Sequence, residues 1–313
     1  MHLLIPFASA ISPAAMQVVH DLALPNLSGL LARLTPTLRD DDDVFSAAPP
    51  HERAVAAAWG WHGPAAAMPF AARAAAADGI DVGDRAWGLI TPVHWHLGRD
   101  HVTLVDPQAL ALSEAESRAA FDAVRELFDS EGFALHWGAP LRWYAAHESL
   151  AELPCASLDR VIGRNVERWL RVGPQGRPEH RLIQRLQSEL QMLLYPHPLN
   201  EAREARGELT LNSFWLSGCG RFQTVDETAV VVDASLRTAL LTDDWLAWAQ
   251  AWHALDAGAL AQLRAGAEQG QPVTLTLCGE RSAQRFESLP RSIGQRLLGR
   301  WKTPAAHTVL EGL

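Results

Sequence analysis

The chain has 313 residues, 36 of them acidic against 27 basic, for a formal net charge of −9. Single hydrophobic cores stop growing near about 250–300 residues, so this length predicts two lobes. The acidic balance disfavours nucleic acid and anionic membranes as partners, and Cys155, Cys219 and Cys278, far apart with no C-x-x-C pair, argue against a disulfide framework or a zinc knuckle.

That cysteine usage fits a reducing, cytoplasmic setting. The opening MHLLIPFASAISPAAM lacks a basic leader and is cut by Pro6 and Pro13, which is not the pattern of a signal peptide. No run of 18 apolar residues occurs that would predict a membrane span. In chain order, HLLIPFAS predicts a buried strand ending near Phe7. LPNLSGLLARL places Leu27, Leu30, Leu31 and Leu34 at helical spacing, and Asp40–Asp43 is expected as a solvated loop. Residues 50–78 are alanine-rich and predict helix. The text WGLITPVHWHLGRDHVTLVD, 87–106, predicts a hairpin around LGRD with His94 and His96 on one strand face, packed or hydrogen-bonded, since no third ligand at metal spacing accompanies them.

A helix is predicted from Ser113, with a capping box to Glu116, through Phe121, Val124, Leu127 and Phe128 to Gly132. A second carries Leu182, Leu186, Leu190 and Leu193 or Leu194 and stops at Pro196. A third is expected to start at Thr242 as N-cap, with Asp243 and Asp244 in its first turn and Trp245, Trp248 and Trp252 along one face. PVTLTLCGE predicts a late strand, and the closing 30 residues are basic and polar. No internal repeat or low-complexity linker interrupts the chain.

The common phosphate cradles, zinc-protease helices and nucleophile elbows are missing: there is no G-x-x-x-x-G-K-[ST], H-E-x-x-H, G-x-S-x-G or G-x-G-x-x-G after a strand. Polar residues gather instead in PLRWY (140–144), ASLDRVIGRN (156–165) and HPLNEAREARGELTLNSFWLSGCG (197–220). Arginine offers a planar fork for phosphate or carboxylate, and asparagine serves an oxyanion or a tight turn equally well. Purely structural roles are open too: Asn200 and Asn212 as turn caps, Arg203 and Arg206 paired with Glu201 or Glu204.

The order of those segments resembles the archaeal-type cofactor-independent phosphoglycerate mutases of the alkaline phosphatase superfamily. The resemblance rests on Leu141–Trp143, on Ser157–Asp159, and on His197, Pro198, Asn200, Arg203, Asn212, Trp215, Gly218 and Gly220. LPNLSGLLARL is similar to that superfamily's TPNLD-x-L segment. With ELQMLLY-x-HP-x-N and NSFW, the whole text is closer still to the bacterial regulatory proteins of RpfE type.

The resemblance implies an α/β protein: a reduced alkaline-phosphatase-like core sheet with helices on both faces, residues 1–88 and 226–313, plus an inserted α+β domain at 89–225. It implies a ligand site drawn from Arg142, Asp159, His197, Asn200, Arg203, Arg206, Asn212 and Trp215. The family's two metals and nucleophilic serine lack counterparts. The first strand has no Asp-Gly, His51 stands where the serine would be with Glu52 in an aspartate's place, and Gly279 and Glu280 replace an Asp-His pair. The expectation is a protein without metal or cofactor that recognises a phosphorylated metabolite or a protein partner. Two alternatives remain: an active phosphoryl-transfer enzyme, either a divergent mutase or a His51 phosphoryl carrier, and a protein-interaction module docking through its tryptophans.

Overall fold

The structure is a computed structural model and describes residues 1–170, 177–288 and 305–313. The first apolar run becomes β1 (His2–Ile5), with Leu3, Leu4 and Ile5 buried. Ser12 accepts from the Ala15 amide and Pro13 fills the first turn, so α1 (Pro13–Asp21) starts where such a pair places it. α2 (Pro25–Leu31) buries Leu27, Leu30 and Leu31. The acidic run corrects the expectation of a solvated loop: its first half completes β2 (Thr35–Asp41). β2 is the outer strand of its sheet, where charged side chains are tolerated, and Arg53 meets Asp40 at 2.7 Å and Asp42 at 3.2 Å.

The alanine-rich stretch forms two helices, α3 (Pro50–Ala58) and α4 (Phe70–Ala77), because Gly60 and Gly63 adopt positive φ between them and Pro64 follows. β3 (Ala86–Val93) precedes the short hairpin of β4 (Trp95–Leu97) and β5 (Val102–Leu104). His94 and His96 do not share a strand face. His94 lies between β3 and β4 with Nδ1 at 2.8 Å from the Thr210 carbonyl, and His96 is exposed. The capping box opens α5 (Glu114–Asp129), and β6 (Ala134–Ala139), β7 (Arg142–Ala146) and α6 (Leu158–Val161) follow. α7 (Pro178–Leu194) buries Ile183, Leu186, Leu190 and Leu194, and α8 (Pro198–Ala205) leads into β8 (Ser213–Arg221).

The remainder comprises β9 (Val231–Val232), α9 (Arg237–Leu241), α10 (Trp245–Leu255), α11 (Ala261–Glu268), β10 (Thr274–Cys278), β11 (Ser282–Glu287) and α12 (Ala306–Glu311). Thr242 closes α9 and does not cap α10. Asp244 takes that place, accepting from the Ala247 amide at 2.9 Å, after Asp243 turns through φ +54°. Most of the basic and polar closing segment, 289–304, lies outside the described residues.

The chain is a mixed α/β protein with several sheets. One sheet runs β2-β11-β10-β1-β9, with β1 parallel to both β10 and β9 and the other pairs antiparallel. Leu3, Ile5, Leu275 and Leu277 share a core with residues of α1, α2, α10, α11 and α12, whereas α3 packs against β1, β10 and β11. A second sheet, β6-β7-β3-β8, is wholly antiparallel and packs with α5 and α7 around Phe121, Phe128, Trp143 and Phe214. The chain divides into two compact units, 1–60 with 225–313 and 61–224. Residues 61–88, expected with the first lobe, thus belong to the second, since α4 and β3 both pack on β8. Among the described residues no helix is long and apolar enough to cross a membrane.

Candidate functional site

The segment that links α7 to β8 is held by its own polar side chains. His197 is the N-cap of α8, its Nδ1 accepting from the Leu199 amide at 3.2 Å, and Pro198 follows it in the first turn. Asn200, 3% exposed, donates from Nδ2 to the carbonyls of Leu194 at 2.9 Å and Leu211 at 2.8 Å and accepts from the Leu211 amide at 2.9 Å. One buried amide thereby satisfies the end of α7 and the approach to β8. Asn212 does the same for the start of β4, accepting from the Trp95 amide at 2.7 Å and donating to its carbonyl at 3.0 Å. Trp215 donates its indole N–H to the Ala156 carbonyl at 2.9 Å and lines an apolar cavity with Cys155, Trp169, His180 and Ile183.

Arg203 is 1% exposed, and its guanidinium is engaged on every side. Nε donates to the Leu209 carbonyl at 2.7 Å, Nη2 to the Leu110 carbonyl, and Nη1 lies 2.9 Å from Glu116 Oε1 and 3.5 Å from Glu208. Arg206 is half-exposed and donates to Glu208 at 2.9 and 2.7 Å and to Glu116 at 2.7 Å. Two guanidiniums thus face two carboxylates, and the cluster carries no surplus positive charge. Partial burial pushes the Glu116 carboxyl up, but the Ser113 amide and hydroxyl and Arg203 outweigh it and hold the group at about 2.

Arg142 belongs to another set. Its Nε and Nη2 grip the Asp78 carboxylate at 3.1 and 2.9 Å, and the Tyr144 hydroxyl donates to the same carboxylate at 2.7 Å. Burial would raise Asp78, yet these two donors keep its carboxyl below the usual range. Asp159 sits in the first turn of α6, its amide donating to Ser157 Oγ at 3.3 Å. Of the eight expected ligand residues, the structure therefore joins Arg203 to Arg206 through Glu116. It sets Asn200, Asn212, His197 and Trp215 on backbone groups and gives Arg142 a separate carboxylate.

In the other unit, the carboxyl ends of parallel strands β1 and β10 are where open α/β sheets ordinarily bind ligands. Phe7 follows β1 at φ +58°, the Ala8 amide donates to the Cys278 carbonyl at 2.8 Å, and the His51 ring lies 4.9 Å from the Phe7 ring. Glu52 is in the first turn of α3. Glu280 accepts from the Ile11 amide at 3.1 Å, and Gly279 is required by its neighbour, since a Cβ there would stand 2.5 Å from Leu313 Cβ. Among the described residues no three histidine, cysteine, aspartate or glutamate side chains gather so as to hold a metal ion. The donors present do not fit a two-metal phosphotransferase, which needs several convergent carboxylate or histidine ligands.

Of the three tryptophans on α10, Trp248 and Trp252 are fully buried and stand edge to face with ring centres 6.5 Å apart, so these two are core and cannot dock a partner, while Trp245 is half-buried and packs against the same core. Sequence reasoning missed a pair of another kind: Cys155 and Cys219, far apart along the chain, bring their sulfurs to 3.4 Å.

No family model and no curated protein matches the chain. Among solved structures it is similar to the cofactor-independent phosphoglycerate mutase from Thermoplasma acidophilum DSM 1728, at 13% identity over 100% of this chain and 98% of that one, with a TM-score of 0.38. It is also similar to the PH0037 protein from Pyrococcus horikoshii, at 12% identity over 91% of this chain and 86% of that one, with a TM-score of 0.46.

Proposed function

We propose that this chain is a non-catalytic binding or regulatory protein of RpfE type, a degenerate relative of the cofactor-independent phosphoglycerate mutases that performs no phosphoryl transfer itself. The observation that carries the reading is the chemistry at the carboxyl ends of β1 and β10, where an aromatic ring pair, a cysteine and a glutamate that receives a backbone amide stand in place of convergent metal ligands. Phosphoryl transfer on this plan depends on cations that bridge the attacking and leaving oxygens, and among the described residues no side chains gather to hold two such cations. The test is an assay of purified protein with 3-phosphoglycerate, with and without manganese, together with a search for phosphohistidine at His51. No turnover and no labelling are expected. Turnover abolished by chelator, or phosphate on His51, would overturn the reading.

The phosphorylated-metabolite ligand narrows to Arg142 and Arg206, because these guanidiniums are half-exposed while Arg203 is enclosed. Each already holds carboxylates, so a phosphate has to displace Asp78, or Glu116 and Glu208, to enter. Binding of 3-phosphoglycerate at either arginine is weak, falls with added salt, and is lost when Arg142→Ala and Arg206→Ala are combined. Calorimetric titration decides it: binding that survives both substitutions removes this ligand site.

A further inference from the structure

We propose that Cys155 and Cys219 are a reversible dithiol–disulfide pair that exchanges with low-molecular-weight disulfides such as oxidised glutathione. The two residues are 64 positions apart, yet their Sγ atoms lie at 3.4 Å, and both thiols are free in the structure. A disulfide needs the sulfurs at about 2.05 Å, closer than this contact, so oxidation draws the two side chains together.

The surroundings are built for that contact. The Cys155 amide donates to the Ala66 carbonyl at 2.9 Å, and the next residue's carbonyl receives the Trp215 indole at 2.9 Å, so the segment bearing Cys155 is pinned beside β8. Gly88 on β3 leaves room for the second sulfur: a Cβ there would stand 3.2 Å from Cys219 Sγ and 2.6 Å from Leu216 Cδ1. The two thiols differ in access. Cys155 is half-buried and lines the apolar cavity beside Trp215 and His180, whereas Cys219 is fully buried. Burial, and then the hydrogen bond with Cys155, push the Cys219 thiol up, so it is a poor first nucleophile and a well-placed second one.

The reaction balances without further reagents. The Cys155 thiolate attacks one sulfur of the small disulfide, forming a mixed disulfide and releasing one small thiolate. Cys219 then gives up its proton as its sulfur attacks Cys155 Sγ, the mixed S–S bond breaks, and the second small thiolate leaves. Two protein thiols are oxidised, one small disulfide is reduced to two thiols, and both protons end on the released thiols. The new bond fastens the segment around Cys155 to β8 along the wall of the cavity. Cys278, buried in the other unit, is an internal control.

The experiment incubates the full chain under native conditions with oxidised glutathione, quenches with acid, alkylates the remaining thiols and maps the peptides by mass spectrometry. The expected product is one intramolecular link between Cys155 and Cys219, lighter by two hydrogens, undone by dithiothreitol, with Cys278 still alkylated. Cys219→Ser is expected to stop at a glutathione adduct on Cys155, and Cys155→Ser to give no link. The unmodified chain decides the matter even if a variant fails to fold. Arrest of that chain at the Cys155 adduct, no reaction at either cysteine, or links only between molecules would overturn the proposal.

Discussion

Arg203 shows how little a residue type says about its target. Its clustering with Arg206, His197 and Asn200 is legible in the sequence, but its acceptors are not: the carbonyls of Leu110 and Leu209 come into reach only when α5, α8 and the segment before β8 are assembled. Once assembled, the buried guanidinium is a fastener. Arg203→Ala is expected to cost about 3–5 kcal/mol of stability, because it leaves the Leu110 and Leu209 carbonyls without their donor and takes from Glu116 one of its two cations. Arg206→Ala, at an exposed position, leaves the urea midpoint close to that of the unsubstituted chain; an equally small change in Arg203→Ala would show that Arg203 has no structural duty. Glu116 adds a pH dependence whose sign is fixed. Its folded value is depressed from 4.5 to about 2, so its contribution is fully present above 4.5 and is lost as pH falls through that window. Urea midpoints of Glu116→Gln should be lower at neutral pH and flatter across the acid limb. An acid limb as steep as before would place the titrating group elsewhere.

At the scale of elements, legibility follows how local the deciding interaction is. The capping box of α5 uses residues three apart and its reading is the same in sequence and structure. The N-cap of α10 depends instead on which of three adjacent polar residues leaves the helical conformation, a backbone choice made where α9 ends; Asp243 takes it, and the cap falls on Asp244. Periodicity marks the apolar face of α10 but not what covers it. The two buried indoles of this helix are not equivalent. Trp248 donates to the Phe7 carbonyl at 3.2 Å, holding the turn at the end of β1, whereas the Trp252 N–H has no acceptor among the described residues. Trp248→Phe and Trp252→Phe remove similar apolar volume, but only the first leaves a carbonyl without its donor. Trp248→Phe is therefore expected to be the more destabilising by about 1 kcal/mol in urea unfolding. Equal losses, or a larger one for Trp252→Phe, would show that the Phe7 carbonyl finds another donor.

At the scale of the whole molecule, length alone indicates two lobes, but the seam is set by contacts that have no sequence signature. The resemblance implies a boundary at 88, whereas the 61–224 unit is closed where its ends meet. The Trp61 indole donates to the Thr224 carbonyl at 3.1 Å, and Gln223 accepts from the His62 amide at 3.0 Å and donates to its carbonyl at 2.9 Å. A unit whose first and last residues are bonded to one another has the geometry of an insertion, and such units tolerate excision because no element is left stretched between distant ends. It also owns its sheet: β3, β6, β7 and β8 pair only among themselves among the described residues, and the core around Phe121, Trp143 and Phe214 draws on α5 and α7 of the same unit. We therefore expect a fragment of residues 61–224 to fold alone, to unfold cooperatively in urea, and to retain protection of the β3 and β8 amides against hydrogen exchange. The same fragment with Trp61→Ala should lose protection first at its joined ends, since the indole that closes them is gone. A 61–224 fragment with no cooperative transition, or with its β3 amides exchanging freely, would mean that the first 60 residues or the last 89 contribute to this core, and the insertion reading would fail.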